Sequence, residues 1–343
     1  MPTRLPRRTL LAAALPIASH LALPGSASAR PRDDAEPSPA PAARLLAPLP
    51  VAASSLGAIA AGGFLYAYGG HVAPVHTYST AAVSGAFRRL PLGRDGAAWE
   101  DLPGGTPMQG MNLATDGRRV FRAGGMVPRN APDTPADNVS SAEAVLFDPA
   151  APGWRRLPDL PVPRSSHDAV IVDGTLWIVG GWNMRGDDGE EWFDSAAALD
   201  LAAAEPAWRT LPQPFTRRAL TAAAHRGKVW VLGGFTDSDE MSLSVDVLDP
   251  LTGVWSHGPD LPGPEGNGFA PAACSLGDRL LASVADGRLL ELDEPAGAWR
   301  EIAALAPRIV HRLVADGDGV ILVGGAAGKD NLDRVERVAV GRG

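Results

Sequence analysis

The sequence predicts an all-β protein, a six-bladed β-propeller with four antiparallel strands in each blade, closed by an N-terminal strand. The first observation is a glycine doublet that recurs at the end of apolar segments, with first glycines 55, 56, 53 and 91 residues apart. Repeats of about fifty residues built from short strands are typical of propellers. The long last interval indicates a unit that has lost its doublet. The doublets are Gly69-Gly70, Gly124-Gly125, Gly180-Gly181, Gly233-Gly234 and Gly324-Gly325.

The second observation is a set of tryptophans in the same register. A strand that ends in Asp, such as Phe147-Asp148-Pro149, precedes several of them. Asp accepts turn hydrogen bonds and Pro cannot donate to a sheet, so this pair ends a strand. Each unit therefore holds a second strand that ends at the glycines, a third that ends at Asp and a fourth that begins near Trp. The tryptophans are Trp99, Trp154, Trp208, Trp255 and Trp299.

The last two units need separate arguments. In the fifth unit, residues 280–285 replace the doublet and a tight turn, Asp286-Gly287, follows. The sixth unit has a third strand near residues 335–340, and the sequence ends before a tryptophan strand. Residues 43–50 resemble residues 154–161, with Leu46, Leu49 and Pro50 in matching places. The N-terminal segment is therefore predicted to complete the sixth blade and to leave no unpaired edge.

These doublets and tryptophans resemble those of the Kelch superfamily over residues 44–341. Kelch propellers include oxidases, sugar isomerases and interaction modules, so the resemblance implies a fold more firmly than a function. An exported six-bladed form resembles the bacterial sialic-acid mutarotases. That resemblance implies a general acid/base and a cation for a substrate carboxylate, without a cofactor. No motif of those enzymes matches this chain, so no catalytic residue is assigned.

The first 29 residues are interpreted as an export signal. Arg7-Arg8 precedes an apolar run that Pro16 and His20 interrupt, and Ala27-Ser28-Ala29 offers a cleavage site. The arginine pair resembles a twin-arginine signal, with a general secretory signal as the alternative. The run is too short to span a membrane. We expect a disordered Pro- and Ala-rich linker at residues 30–43, the propeller at residues 44–343, and a periplasmic or secreted protein.

The charge of the chain argues against several partners. The net charge is −8, and residues 1–29 hold three arginines and no acidic residue, so the remainder carries −11. Binding to nucleic acid or to an anionic membrane needs a basic face, so neither is expected. We expect a monomer.

Neither a reactive thiol nor a metal site is predicted. Cys274, the single cysteine, lies in an apolar strand and is interpreted as buried and structural. Copper-radical oxidases share this type of propeller, and the resemblance implies a cysteine cross-linked to a tyrosine. Here Tyr66, Tyr68 and Tyr78 fall in blade one and Cys274 in blade five, so the chemistry of these oxidases is not expected. No metal and no cofactor are predicted.

The candidate site lies where the chain approaches the innermost strand of each blade. Alignment of the blades on their doublets puts one residue of each blade at this point, which we name the lead-in position. The six lead-in residues are Ala53, Met108, Arg164, Arg217, Gly268 and Arg308. Three arginines around a channel could bind an anion such as a carboxylate. The alternative is a structural one, in which each arginine pairs with an acidic residue and locks blades together.

Further candidates lie close to these arginines. His167 and His311 follow Arg164 and Arg308 by three residues, and they could contact a ligand or pack between blades. The loop after the third doublet contributes Trp182, and Glu190 and Glu191 follow in it. Acidic residues beside arginines and aromatic rings suit a sugar.

Two functions follow from this set of residues. The first is binding of a glycan, a small anionic molecule or a protein on the loop-rich face at the channel mouth. The second is a cofactor-independent mutarotase or isomerase acting on an acidic sugar, in which Glu190, Glu191 or His167 would move protons. The sequence leaves both open.

Overall fold

Six four-stranded antiparallel sheets form the blades of a propeller around a central channel. The structure, a computed structural model, describes residues 43–341. The first strands of neighbouring blades contact each other around the channel and the fourth strands lie at the rim. The predicted all-β, six-bladed fold with four strands per blade is confirmed.

The strands, from channel to rim, have the following bounds. Blade one consists of Gly57–Ala61, Phe64–Tyr68, Phe87–Pro91 and Glu100–Leu102, and blade two of Leu113–Thr115, Val120–Ala123, Ala144–Asp148 and Ala151–Arg156. Blade three consists of Asp168–Val172, Thr175–Val179, Ser195–Asp200 and Trp208–Pro212, and blade four of Thr221–His225, Lys228–Leu232, Val245–Asp249 and Val254–Gly258. Blade five consists of Ala272–Leu276, Arg279–Ser283, Arg288–Asp293 and Ala298–Ala304, and blade six of Arg312–Asp316, Gly319–Val323, Val335–Ala339 and Ala43–Leu45.

Short two-stranded ribbons and 3-10 turns lie on the loop-rich face. Four two-stranded ribbons pair Met126–Pro128 with Asn138–Ser140, Trp182–Met184 with Glu190–Trp192, Arg217–Arg218 with Phe235–Thr236, and Ala326–Ala327 with Asp330–Asn331. Single 3-10 turns span Thr80–Ala82, Gly186–Asp188 and Glu265–Gly268. Among residues 43–341, no helix has the length and apolar character needed to cross a membrane.

Two-residue turns join the first and second strands of several blades. Asp173-Gly174 has φ values of 47° and 74°, and Arg226-Gly227 has 48° and 71°. Two successive residues with positive φ form a type I′ turn, whose twist matches the right-handed twist of the strands that it joins. The turn residues therefore fix the register of these hairpins.

The N-terminal strand closes the ring, as predicted. Ala43–Leu45 pairs antiparallel with Val335–Ala339, with Arg44 opposite Arg337. Beyond this strand, Leu46 N–H donates to the Val335 carbonyl at 3.0 Å, and Leu49 is buried. Ala43, predicted as the last residue of the linker, already belongs to the strand. The predicted export signal and the linker up to residue 42 lie outside the described residues.

The recurring tryptophans link each outer strand to the preceding blade. Trp154 Nε1 donates to the Pro103 carbonyl at 2.9 Å. Trp99 makes the corresponding bond to the carbonyl of Ala47 in the N-terminal segment, at 3.0 Å. The other three bonds join Trp208 to Pro158, Trp255 to Pro212 and Trp299 to Pro259. The tryptophan spacing of the sequence therefore reflects contacts between blades.

The hydrophobic core consists of layers between neighbouring blades. Phe87 of blade one meets Phe147 of blade two edge to face, with ring centroids 5.0 Å apart. Trp177 of blade three is fully buried with Val229 and Val231 of blade four. Because both faces of each blade are covered, the inner strands are apolar on both sides.

The glycine doublets bind each blade to the next. The second glycine of a doublet donates its N–H to the lead-in carbonyl of the following blade, for example Gly70 to Met108 at 2.9 Å. Gly69 has φ of 65°, and a Cβ atom there would lie 2.7 Å from the same carbonyl oxygen. Only glycine allows both the left-handed backbone and this close approach. The other bonds join Gly125 to Arg164, Gly181 to Arg217, Gly234 to Gly268 and Gly325 to Ala53.

A ring of backbone groups narrows the channel just past the lead-in positions, where the chain enters the first strand of each blade. The residue two positions after each lead-in residue has φ between 46° and 66°, and we name these six residues the mouth ring. Five hydrogen bonds of 2.7–2.9 Å connect successive members. The members are Ser55, Gly110, Ser166, Ala219, Ala270 and Val310. The cavity that they line measures about 60 Å³ and holds a few water molecules at most.

An ion pair crosses the channel near this ring. Arg312 of blade six donates to the carbonyls of Leu56 and Met111, each at 2.7 Å, and its Nη1 lies 3.6 Å from Asp168 Oδ2 of blade three. Asp168 is fully buried and accepts from Ala222 N–H at 2.8 Å. Burial lowers the pKa of Arg312, and Asp168 opposes this shift. The pair joins opposite sides of the propeller.

We expect the closing strand to be essential for cooperative folding. Deletion of residues 1–42 keeps the whole strand, whereas deletion of residues 1–50 removes it together with Leu49 and leaves the edge of Val335–Ala339 unpaired. The first variant should melt in one cooperative transition, and the second should aggregate or lose cooperativity. Circular-dichroism melting curves test this prediction, and equal curves for the two variants would contradict it.

Candidate functional site

The three predicted lead-in arginines are buried and hold the strands of their own blades together. Arg217 forms an ion pair with Asp246, and Arg308 forms one with Glu336. Burial lowers the pKa of Arg217 and of Arg308, and the acidic partners oppose this shift. Each pair connects the lead-in segment to the third strand of the same blade.

Arg164 reaches the same strand without an acidic partner. Its Nη1 donates to the carbonyls of Gly180 at 3.1 Å and Ser195 at 2.9 Å, and its guanidinium lies 3.8 Å from the Phe193 ring centroid. Burial lowers its pKa to about 9. These contacts support the structural alternative. The arginines connect strands within one blade, however, and do not lock neighbouring blades together. A ligand role for the three arginines stays a prediction.

The two predicted histidines bridge neighbouring blades. His167 Nε2 donates to the Ala123 carbonyl of blade two at 3.0 Å, and His311 Nε2 lies 3.0 Å from Ser283 Oγ of blade five. Both side chains are fully buried, and burial lowers the pKa of each to about 3. They are therefore neutral at pH 7, and their contacts match the packing role considered for them.

One arginine at the channel mouth has no acidic partner and is partly accessible. Arg218 lies between Arg217 and the mouth-ring residue Ala219. It forms no ion pair within residues 43–341, and its Nε is buried without a hydrogen-bond partner there. Burial lowers the pKa of Arg218, and Glu190, Tyr78 and Asp239 oppose this shift. The terminal nitrogens of its guanidinium are thus available to an anion.

Aromatic rings surround this guanidinium. Its Cζ lies 4.2 Å from the ring centroid of Trp182, 4.7 Å from that of Phe235 and 5.4 Å from that of Trp192. Trp182 and Trp192 are opposite residues of one ribbon and meet edge to face at 5.3 Å. We name Arg218 and these three rings the Arg218 cleft. The cleft combines a positive charge with flat apolar walls.

A raised pair of ribbons forms the wall on the side of blades two and three. Ser140 Oγ of the blade-two ribbon accepts from Met184 N–H of the blade-three ribbon at 2.9 Å. Backbone pairing of Val139 with Arg185 joins the same two ribbons. Because hairpins linked in this way support each other, Trp182 is held on a rigid element.

Alternation along the blade-three ribbon separates the two predicted glutamates. Glu190 and Trp192 share one side of the strand, the side of Arg218, because side chains alternate. Glu191 points to the other side, where its Oε2 lies 3.6 Å from Arg185 Nη1. The structure thus brings Trp182 and Glu190 to the Arg218 cleft, and it does not bring Glu191, His167, His311 or the lead-in arginines there.

Sequence reasoning missed Arg218 and Phe235. The signal was present, because Arg218 directly follows the aligned Arg217 and the doublet Gly233-Gly234 directly precedes Phe235. Among the described residues, no group of three His, Cys, Asp or Glu side chains could hold a metal ion. Burial raises the pKa of Cys274 to about 12, so its thiol stays protonated.

Comparison with known proteins identifies the repeat. A family model described as the Kelch motif matches residues 216–262. Beta-scruin of Limulus polyphemus is 25% identical over 204 residues, which cover 53% of this chain and 21% of that protein. Human Kelch repeat and BTB domain-containing protein 13 is 30% identical over 220 residues, which cover 62% of this chain and 42% of that protein. The chain thus spans less than half the length of these curated relatives.

A solved structure of YjhT superposes with a TM-score of 0.66 over 85% of this chain and 96% of that one, at 14% identity. At this identity the likeness establishes the fold alone. The fold and repeats define a six-bladed β-propeller. The Kelch-motif match and the Kelch-repeat relatives confirm the predicted resemblance to Kelch-repeat β-propellers. Kelch propellers commonly serve as protein-binding scaffolds.

The two buried histidines should make stability depend on pH. Their pKa is about 3 in the folded protein and about 6.5 in the unfolded chain. Below pH 6.5 the unfolded chain therefore binds protons that the folded protein does not, and each histidine should lower the free energy of unfolding by about 1.4 kcal/mol per pH unit. Urea unfolding at pH 7.5, 6.0 and 5.0 measures how the free energy of unfolding falls with pH. This slope should be smaller in His311→Gln than in the wild type. Equal slopes would contradict this account.

Neighbouring arginines should differ in their effect on stability. Arg217→Ala leaves Asp246 buried without its main partner and should lower the free energy of unfolding by about 3–5 kcal/mol. Arg218→Ala removes a guanidinium that has no ion pair within residues 43–341, and it should cost about 1 kcal/mol from lost cation–π contacts. Chemical denaturation of both variants measures the difference. An equally large loss for Arg218→Ala would make that arginine a structural residue.

Proposed function

We propose that the protein binds an acidic sugar on the loop-rich face, with the sugar carboxylate at Arg218. The observation that carries this proposal is the Arg218 guanidinium, which has no acidic partner among residues 43–341 and is held between Trp182, Trp192 and Phe235 at the channel mouth. A binding role agrees with the common use of Kelch propellers as protein-binding scaffolds.

The chemistry of the cleft fits such a ligand in three respects. A guanidinium gives a carboxylate two parallel hydrogen bonds. Aromatic faces cover the apolar side of a sugar ring, as in other pockets that combine apolar walls with a few polar groups. Glu190 and Asp239 lie near enough to Arg218 to oppose the lowering of its pKa by burial, and their oxygens can accept hydrogen bonds from sugar hydroxyls.

The position of the ligand follows from the obstructed channel. The mouth ring leaves a cavity of about 60 Å³, and Arg312 and Asp168 span the channel. A monosaccharide does not fit in that volume, so it must lie above the ring. Arg218, next to the mouth-ring residue Ala219, is partly exposed and forms no ion pair within residues 43–341, so its guanidinium can donate to a ligand there.

A second candidate, an anomer-interconverting activity, rests on the carboxylates around the same cation. Mutarotation needs a group that donates and accepts a proton near the anomeric carbon. We assign this role to Glu190, because it lies on the Arg218 side of its ribbon. Nuclear magnetic resonance of freshly dissolved α-glucuronic acid measures the rate of anomer exchange. If the protein has this activity, it should raise the rate of anomer exchange above the uncatalysed rate. Glu190→Gln should abolish that increase.

We expect Arg218→Ala to weaken the binding of acidic sugars by about 1.5–3 kcal/mol, or roughly 10- to 150-fold, because a charge-assisted hydrogen bond is lost. Calorimetric titrations with glucuronic acid and N-acetylneuraminic acid measure the effect, and glucose serves as the neutral comparison. Arg218→Lys should keep part of the affinity, because it keeps the charge without the paired donors.

The matched control is Arg185→Ala, which removes a half-exposed arginine of the adjacent ribbon that pairs with Glu191. It changes the net charge equally and should leave affinity within about twofold. Binding that Arg218→Ala and Arg185→Ala weaken equally would reduce the effect to general electrostatics. If no acidic sugar binds, the face is better explained as a protein-binding surface.

A further inference from the structure

A line of aromatic residues continues from the Arg218 cleft towards blade five. Phe269 occupies in blade five the place that Arg218 occupies in blade four, one residue after the lead-in position. Its ring lies 6.4 Å from that of Phe235, edge to face, and it is only half-buried. Phe235 in turn lies 4.7 Å from the guanidinium carbon of Arg218. The apolar surface therefore extends beyond the space that one sugar carboxylate needs.

Blade five leaves this end of the face open. The connection between the second and third strands runs over residues 69–86, 124–143, 180–194 and 233–244 in blades one to four, but only over residues 284–287 in blade five. Val284 and Arg288 close this turn by a backbone hydrogen bond of 3.1 Å. Asn267 Nδ2 donates to Asp286 Oδ2 at 3.0 Å and holds the turn against the propeller. No loop of blade five therefore rises beside Phe269.

The charges around the Arg218 cleft restrict which ligands can extend from it towards blade five. The loops of blades three and four carry eight acidic residues, and Arg218 has no ion pair within the described residues. A ligand with a negative charge on every unit would be repelled by these loops, whereas one terminal carboxylate can be matched by Arg218. The acidic residues are Asp187, Asp188, Glu190, Glu191, Asp194, Asp237, Asp239 and Glu240.

From this geometry we infer that the site binds the acidic terminal unit of a longer, otherwise neutral oligosaccharide. This inference rests on the proposed function and specifies its ligand. The carboxylate of the terminal unit binds Arg218, and the following neutral units lie over Phe235 and Phe269 and leave the face across blade five. Stacking on aromatic rings needs no charge, so neutral units suit this part of the surface.

Titrations with a series of increasing length test the inference. The probes are glucuronic acid, aldobiouronic acid (glucuronosyl-xylose) and aldotriouronic acid (glucuronosyl-xylobiose), with neutral xylotriose as a control. The first added xylose should tighten binding about two- to tenfold, the range expected for one aromatic stacking contact. Xylotriose should bind much more weakly than aldotriouronic acid, because it lacks the carboxylate.

Variants of blade five separate the two parts of the ligand. Phe269→Ala should abolish the gain with length while leaving the affinity for glucuronic acid unchanged, and Phe269→Tyr should retain the gain. A six-residue Gly/Ser insertion between Asp286 and Gly287 should obstruct only the longer probes. Melting temperatures close to that of the wild type show that each variant is folded, and the comparison within one variant, short against long probe, does not depend on its stability.

The outcomes distinguish this inference from the proposed function. Equal affinity for glucuronic acid and aldotriouronic acid in the wild type overturns the inference and leaves the proposed function intact. The absence of binding by every acidic probe overturns both. Tighter binding of a peptide with one terminal carboxylate than of aldotriouronic acid, with the same loss in Phe269→Ala, would assign the surface to a peptide instead.

Discussion

Two backbone hydrogen bonds across the boundary between blades three and four fix the chain on either side of Arg218. The Arg217 carbonyl accepts from Gly181 N–H, and Ala219 N–H donates to the Ser166 carbonyl, each at 2.8 Å. The same two links recur at the other boundaries that carry a doublet. They require left-handed backbone at the glycines and at the mouth ring. The placement of the cleft therefore depends on the interaction that assembles the ring.

The buried cations of the propeller perform different tasks. Arg217 and Arg308 have acidic partners, and Arg312 reaches Asp168 across the channel, so their charges are compensated inside the protein. A buried pair of this kind does little for net stability, but loss of one member is costly. Arg218 differs from these three because aromatic faces surround it, and it forms no ion pair within residues 43–341. The same residue type thus serves the fold at Arg217, Arg308 and Arg312 and a candidate ligand at Arg218.

Blade five shows how loss of a repeat feature can create a surface. Without a doublet, it lacks the backbone link that the other blades make to the following lead-in carbonyl. His311 and Ser283 meet across this boundary instead, and Asn267 fastens the short turn at Asp286. The shortened connection removes a wall from the loop-rich face. The degenerate unit is therefore the open side of the candidate site.

The sequence by itself determined the architecture, because the doublets and tryptophans are local requirements of a repeated contact. Gly69 must be glycine wherever the next lead-in carbonyl approaches it, and the position of Trp154 follows from its bond to the preceding blade. The closing strand was predictable for the same reason. The partners of individual side chains were not, because Arg217 and Arg218 are identical and adjacent in the sequence. Only the tertiary structure places Asp246 beside the first and three aromatic rings from two blades around the second.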